Sequence, residues 1–161
     1  MLTAVSAQPV ADRTLGEGPY ERLVIRGATM IDGAGAPPVG PVDIVVEGGR
    51  ISGIVPVGAP GLPINQERRP AAGAREINAE GMYVLPGFVN MHGHIHNETD
   101  GQGVPSEYIF KLWLAHGITT VRDLGNGGGA AWTANIARHS ARNEIDAPNI
   151  FPYPVFRGWS A

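Results

Sequence analysis

The run Leu85-Pro86-Gly87-Phe88-Val89-Asn90-Met91-His92-Gly93-His94-Ile95-His96 constrains this chain more than any other part of it. Phe88 to Met91 is apolar and reads as a short buried strand, with Pro86-Gly87 punctuating its start. At its far end stand His92 and His94, two residues apart. Side chains along a strand repeat with period two, so both imidazoles project from the same face. Two neutral imidazoles converging at a strand end form a half-site suited to a borderline transition metal such as zinc. The plainer alternative is a pair of ordinary surface or core histidines, and an H-x-H pattern does not by itself separate the two.

The bulk properties narrow the field. A chain of 161 residues, 43% hydrophobic, can bury one respectable core and reads as a soluble globular protein. A formal net charge of −3 gives no electrostatic case for binding nucleic acid or an anionic membrane. There is no cysteine, so any metal must be held by nitrogen and oxygen. The 23 glycines and 14 prolines suit many short elements joined by tight turns better than a helical bundle. No apolar run approaches a membrane span. Val5-Ser6-Ala7 resembles the end of a signal-peptide cleavage site, but no basic region precedes it and Met1 to Ala4 is too short for an apolar core. Residues 1–19 therefore read as a flexible tail. A cytoplasmic location is favoured, with export left open should the tail be the remnant of a leader.

Residues 20–86 carry strand signals only. Arg22 to Arg26 reads as a strand that Gly27 and the stretch Ile31 to Pro38 break. Val42–Glu47 and Arg50–Val55 flank Gly48-Gly49, a two-residue hairpin turn in which both central positions take positive φ. Residues 56–75 read as an exposed loop, and Glu76–Asn78 and Met82–Leu85 as short strands around a turn at residues 79–81. Strands without helical periodicity before residue 105 argue for a small all-β module.

The pattern changes after His96. Asn97 to Pro105 is a polar loop, Ser106 reads as an N-cap, and Glu107 suits the first turn of a helix. Ile109, Leu112, Trp113 and His116 mark one helical face, closed by Gly117. Ile118–Val121 is strand-like with Asp123 at its end, Ala130–Asn143 is helix-permissive, and Asn149–Phe156 reads as a third strand weakened by Pro152 and Pro154. The order β-α-β-α-β is that of a parallel sheet with crossover helices. In a (β/α) barrel the catalytic groups come from the carboxyl ends of strands, where His92, His94 and Asp123 all fall.

Other motifs compete. Gly125-x-Gly127-x-x-Ala130 follows a strand and opens a helix, as a dinucleotide fingerprint requires. The confirming acidic residue is missing, because Asp146 precedes the next strand rather than ending it and Arg157 follows that strand. A βα loop is the ordinary explanation. His116 reads as packed or half-exposed, and His139 as a surface residue complementing a helix dipole. His96 continues the alternation of His92 and His94 and could line the same pocket. Asp123 is either a capping carboxylate or a pocket-lining group.

The pattern Pro86-Gly87-Phe88-Val89-Asn90-Met91-His92-Gly93-His94 resembles the first barrel strand of the amidohydrolase superfamily, the metal-dependent hydrolases related to urease, dihydroorotase and imidazolonepropionase. Asn90 stands where that family most often has Asp. The stretch Leu114 to Leu124 is similar to the imidazolonepropionase and Xaa-Pro dipeptidase-like branch. The resemblance, which runs from about Leu23 to the C-terminus, implies an α/β chain in two parts. Residues 20–86 would be a portion of a small β-sandwich, and residues 87–161 the first βα units of an incomplete (β/α)8 TIM-type barrel. It implies His92 and His94 as ligands of a divalent metal, zinc above all, with one or two ions in the complete enzyme. It implies hydrolysis of amide, cyclic amide, amidine or dipeptide C–N bonds by a metal-bound hydroxide, and it leaves His96 outside the ligand pair.

The same resemblance exposes a gap. A complete barrel takes about 250 residues, far more than the stretch from Gly87 to Ala161. The only lysine, Lys111, lies on the first helix, away from the strand end where a bridging ligand belongs, and no histidine follows His139. A catalytic zinc site normally has at least three protein ligands. The expectation is therefore an N-terminal portion of a longer enzyme, inactive and poorly folded alone, with its barrel completed in cis or in trans. It would act on a small-molecule substrate, with homo-oligomerisation left open. The alternative is a non-catalytic β-rich assembly module that retains the barrel-start motif.

Overall fold

The computed structural model describes residues 12–13, 17–96, 104–126 and 128–153. Val5-Ser6-Ala7, Gly127, residues 97–103 and residues 154–161, with Phe156 and Arg157, lie outside them. The chain divides into two compact units, Glu17–Pro86 and the residues from Gly87 onward together with Asp12 and Arg13. Among the described residues no helix is long and apolar enough to cross a membrane.

The first unit is a five-stranded sheet in the order β3-β2-β1-β4, with β5 also pairing β1. Its strands are β1 (Arg22–Met30), β2 (Val39–Glu47), β3 (Arg50–Pro56), β4 (Arg75–Asn78) and β5 (Tyr83–Val84). The expected hairpin forms: β2 and β3 pair antiparallel with Glu47 opposite Arg50, and Gly48 and Gly49 both have positive φ, at 54° and 75°. Residues 57–74 form a loop that contains a single 3-10 turn, Gln66–Arg68, capped by Asn65 Oδ1 accepting the Glu67 N–H at 2.9 Å.

One expectation fails here. Gly27 does not break β1, which runs through it to Met30. The register slips between Ile25 and Ala28, and Gly27 adopts φ 72° as the extra residue of a bulge. A β-bulge tolerates what a regular ladder does not, provided the freed N–H finds an acceptor. Asp43 Oδ1 supplies it at 2.7 Å, while Oδ2 takes the Arg26 guanidinium at 2.9 Å. Arg26 also donates to the Pro70 carbonyl at 3.0 Å and pairs with Glu76. Asp43 is fully buried, so this carboxylate is tolerable only because both its oxygens are engaged.

The second unit is a parallel three-stranded sheet, β6-β7-β8, built from β6 (Phe88–Gly93), β7 (Ile118–Asp123) and β8 (Asn149–Pro152). Helices α1 (Ser106–Ala115) and α2 (Gly129–Ala141) make the crossovers. Their shared core is Ile95, Phe110, Ile136, Ile145 and Ile150, with Trp113 and Trp132 packed against it. β6 is a strand but not the buried one expected: Phe88, Val89 and Met91 are more than half exposed, as is Phe151 on β8, because the helices cover only part of the sheet among the described residues.

Two details of α1 differ from expectation. Pro105, not Ser106, is the N-cap, and Ser106 is the first helical residue. Its hydroxyl donates to the His96 carbonyl at 3.1 Å and so ties the helix start to the end of the H-x-H segment. The covered face is Ser106, Phe110 and Trp113, whereas Leu112 is 41% exposed. The expected face through Ile109, Leu112, Trp113 and His116 is therefore shifted, because Phe110 packs with Ile95 and Ile136. Gly117 closes the helix with φ 76°, as expected. Helix α2 ends in a Schellman arrangement: Asn143 takes φ 56°, and the N–H groups of Asn143 and Glu144 reach the carbonyls of Ser140 and His139. His139 is half-exposed and bonds Glu144 at 2.6 Å, and Arg13 pairs with Asp146 at 3.4 Å.

Asp43→Ala strands the Gly27 N–H and leaves Arg26 with only its rim partners. Chemical denaturation should show a loss of roughly 3–5 kcal/mol, the range for breaking a buried pair from one side. Glu76 answers to pH. Its hydrogen bond from Arg26 holds its carboxyl below the usual carboxylate range. A depressed folded pKa contributes stability above the ordinary value of 4.5 and loses it as pH falls through the folded value. Acid unfolding followed by circular dichroism should therefore be less steep below that pH in Glu76→Gln than in the parent chain.

Candidate functional site

The carboxyl end of the parallel sheet brings His92, His94, His96 and Asp123 together. Burial alternates along the segment: Gly93 and Ile95 are buried, while His92, His94 and His96 are exposed. The three imidazoles thus share one face, as the period of a strand demands. The His92 and His94 rings lie 5.3 Å apart between centroids at 66°, and the His94 and His96 rings 6.3 Å apart at 35°.

Two features of β6 create this presentation. The register with β7 passes from Asn90 opposite Val121 to Gly93 opposite Asp123, so β6 carries an extra residue at its end. Asn90 Oδ1 accepts the His92 N–H at 3.1 Å, which the bulge has taken out of the ladder. The second feature is Gly93. A Cβ there would lie 2.5 Å from Val121 Cγ1, so any other residue would push the strand end, and with it both histidines, off the sheet.

His94 is oriented further. Its Nδ1 is 2.8 Å from the Gly125 carbonyl oxygen. A carbonyl can only accept, so Nδ1 carries the proton and Nε2 is left with its lone pair. A ring fixed in this way by a backbone carbonyl is the usual preparation of a metal-ligating imidazole.

Asp123 is a structural carboxylate first. It is 1% exposed, and its Oδ1 accepts the Ile95 N–H at 3.1 Å while Oδ2 accepts from Asn126 Nδ2 at 2.6 Å. Burial raises its pKa; the hydrogen bonds from Ile95 and Asn126 and the neighbouring His94 act against that rise. It therefore fits the capping alternative, holding the ends of β6 and β7 in register. The roles of Asn90, Gly125 and Asn126 escaped the sequence reading. Only Asn90 left a local trace, an Asx residue two before the N–H it caps.

His116 bonds its own helix through Leu112 and stays away from the three histidines in sequence and element. Among the described residues, no group of three or more His, Cys, Asp or Glu side chains is arranged to hold a metal. The spacing of the two histidine rings matches that of a ligand pair. With Zn–N bonds of about 2.0–2.1 Å, two rings on a tetrahedral centre have centroids about 5 Å apart, close to the 5.3 Å observed.

Known proteins resemble this chain in sequence and fold. No family profile matches the chain. It is 32% identical over 151 residues to the N-acyl-D-aspartate deacylase of Alcaligenes xylosoxydans xylosoxydans, covering 91% of this chain and 26% of the deacylase. It is 36% identical over 111 residues to the 5-methylthioadenosine/S-adenosylhomocysteine deaminase of Symbiobacterium thermophilum, covering 65% of this chain and 23% of the deaminase. Among solved structures, molinate hydrolase superposes with a TM-score of 0.64 at 26% identity over 83% of this chain and 30% of its own. The chain belongs to the amidohydrolase superfamily. A prolidase-like fold from Bifidobacterium longum, at 24% identity and TM-score 0.63, covers 89% of this chain and 34% of its own. The chain spans about a quarter of the length of the curated amidohydrolases it matches.

Asn90→Ala should lower the unfolding midpoint in urea by an amount equivalent to about 1 kcal/mol, the value of one backbone-directed hydrogen bond. Asn90→Asp keeps the acceptor and should retain most of that stability.

Proposed function

We propose that His92 and His94 are two ligands of a divalent metal, zinc by the chemistry of an all-nitrogen pair, and that this chain supplies the leading part of a metal-dependent hydrolase of C–N bonds. The observation that carries the reading is the His94 ring, held by the Gly125 carbonyl with its Nε2 free, 5.3 Å from the His92 ring on the same exposed face. Superfamily members are typically dependent on divalent metals, and the matched relatives that act on C–N bonds include a deacylase and deaminases.

Within this site the chain's own residues bind and orient. Gly93 and Asn90 set the strand end, Asp123 joins it to β7, and Gly125 fixes the His94 tautomer. A bound ion would polarise a substrate carbonyl and acidify a water molecule. Two imidazoles fall short of the three protein ligands such sites need, so further ligands come from additional strands, in cis or in trans. The exposed apolar side chains Phe88, Val89, Met91 and Phe151 support that reading, because apolar surface of this extent favours cover. On the same reading the first unit is one layer of a β-sandwich and the second the start of a (β/α)8 barrel. The amide, cyclic amide, amidine or dipeptide nature of the substrate follows the branch that Leu114 to Leu124 resembles.

The exposed face also favours a second reading, a non-catalytic module that assembles through it. Metal binding separates the two. Titration of the chain with Co²⁺, read by visible absorption, should show binding that His92→Ala and His94→Ala each abolish and that His116→Ala and His139→Ala leave unchanged. Binding indifferent to His92 and His94 would sink the metal reading. Coding sequence past Ala161 that adds a strand-end Lys or Glu, two separated His and a late Asp would favour the hydrolase over the module.

A further inference from the structure

Behind His94 the turn from β7 to α2 is a closed hydrogen-bond circuit. Asn126 Nδ2 donates to Asp123 Oδ2 and to Thr133 Oγ1, both at 2.6 Å. Asn126 Oδ1 accepts the Gly129 N–H at 3.1 Å, and the Thr133 hydroxyl donates to the Gly129 carbonyl, also at 3.1 Å. The amide orientation is fixed by chemistry, since a carboxylate only accepts and a backbone N–H only donates. Both amide protons of Asn126 and its oxygen are engaged. Thr133 is 2% exposed and Asp123 1%, so the inner partners of Asn126 are shielded from water, while Asn126 itself is half-buried and the Gly129 N–H is at the surface.

This circuit reaches His94 by two routes. Through Asp123 Oδ1 it holds the N–H of Ile95, the residue that follows His94 in the chain. Through the turn it holds Gly125, at φ 106°, with its carbonyl aimed at His94 Nδ1. Gly125 lies between the two residues, Asp123 and Asn126, that the circuit locks together. The turn is held on one side by the Leu124 N–H, which donates to the Gly93 carbonyl of β6 at 2.9 Å, and on the other by Asn126, so Asn126 is the side-chain restraint on the Gly125 carbonyl.

We infer that Asn126 is a positioning residue for His94: it holds the Gly125 carbonyl where it takes the Nδ1 proton, so that Nε2 is the nitrogen presented to a ligand. Thr133 supports the same function by anchoring Asn126 to the first turn of α2. The metal consequence rests on the proposed metal reading, but the tautomer can be measured without any ion.

The test is a long-range ¹H–¹⁵N correlation spectrum of the full, metal-free chain with labelled histidine, recorded at about pH 8, above the ordinary histidine pKa. His94 in the parent chain should be protonated at Nδ1. Asn126→Ala should convert it to a mixture of both neutral tautomers. Thr133→Val, nearly isosteric and unable to engage the amide, should do so partly, and Thr133→Ser should restore the parent pattern. Zn²⁺ affinity should then fall roughly ten- to hundredfold in Asn126→Ala, the usual cost of losing an outer partner of a ligating histidine. Should Asn126→Ala fail to fold, the Thr133→Val and Thr133→Ser pair decides. An unchanged Nδ1-protonated His94 in Thr133→Val or Asn126→Ala overturns the inference, as does a tautomer change that merely tracks the unfolded fraction. Failure of the metal reading looks different: His92→Ala and His94→Ala would leave Zn²⁺ binding intact while the tautomer shift persisted.

Discussion

The second unit depends on one buried carboxylate. Asp123 ends β7, and its oxygens accept from the backbone of Ile95 and the amide of Asn126. Parallel strands tilt their hydrogen bonds, and a bulge at the end of β6 removes what the ladder would have supplied there. Without another acceptor, the H-x-H segment would leave the sheet just where its imidazoles project. Asp123 supplies that acceptor at the cost of burying a charge, a cost met by hydrogen bonds on both oxygens. The first unit solves its own bulge in the same way, with Asp43 satisfying Gly27 and Arg26.

This arrangement separates stability from chemistry across the thickness of one sheet. Ile95, Phe110, Ile136 and Ile150 close the side covered by the helices, and the backbone positions that alternate with Ile95 carry the histidines outward. The rigidity of the core therefore passes to the rings through the pleat. Large apolar side chains of the same unit, Phe88, Val89, Met91 and Phe151, are exposed as well. On the proposed reading, further strands would cover such exposed apolar groups.

Much of this was legible in the residues themselves. Gly48-Gly49 announced the hairpin because two consecutive positive φ values are needed there and glycine tolerates both. The H-x-H spacing announced a shared face because the period of a strand is two. Gly27 misled because a glycine between apolar residues reads equally as a strand end or a bulge, and what decides is an aspartate sixteen residues away. The covered face of α1 misled because Leu112 and Phe110 are equally apolar, and only the neighbours in space choose between them. The clamp on His94 was illegible for a related reason. Its partner lies 31 residues further along the chain and is a main-chain carbonyl with no side-chain signature.

Gly93 carries a consequence of its own. Its missing side chain lets Val121 press directly against the backbone that joins the two imidazoles. The backbone between those rings is therefore seated from the dry side of the sheet, by the bulk of a buried aliphatic residue. Natural variation at Val121 would alter the bite of the histidine pair without altering any of its ligating atoms. A protein engineer could tune that bite by methyl groups alone.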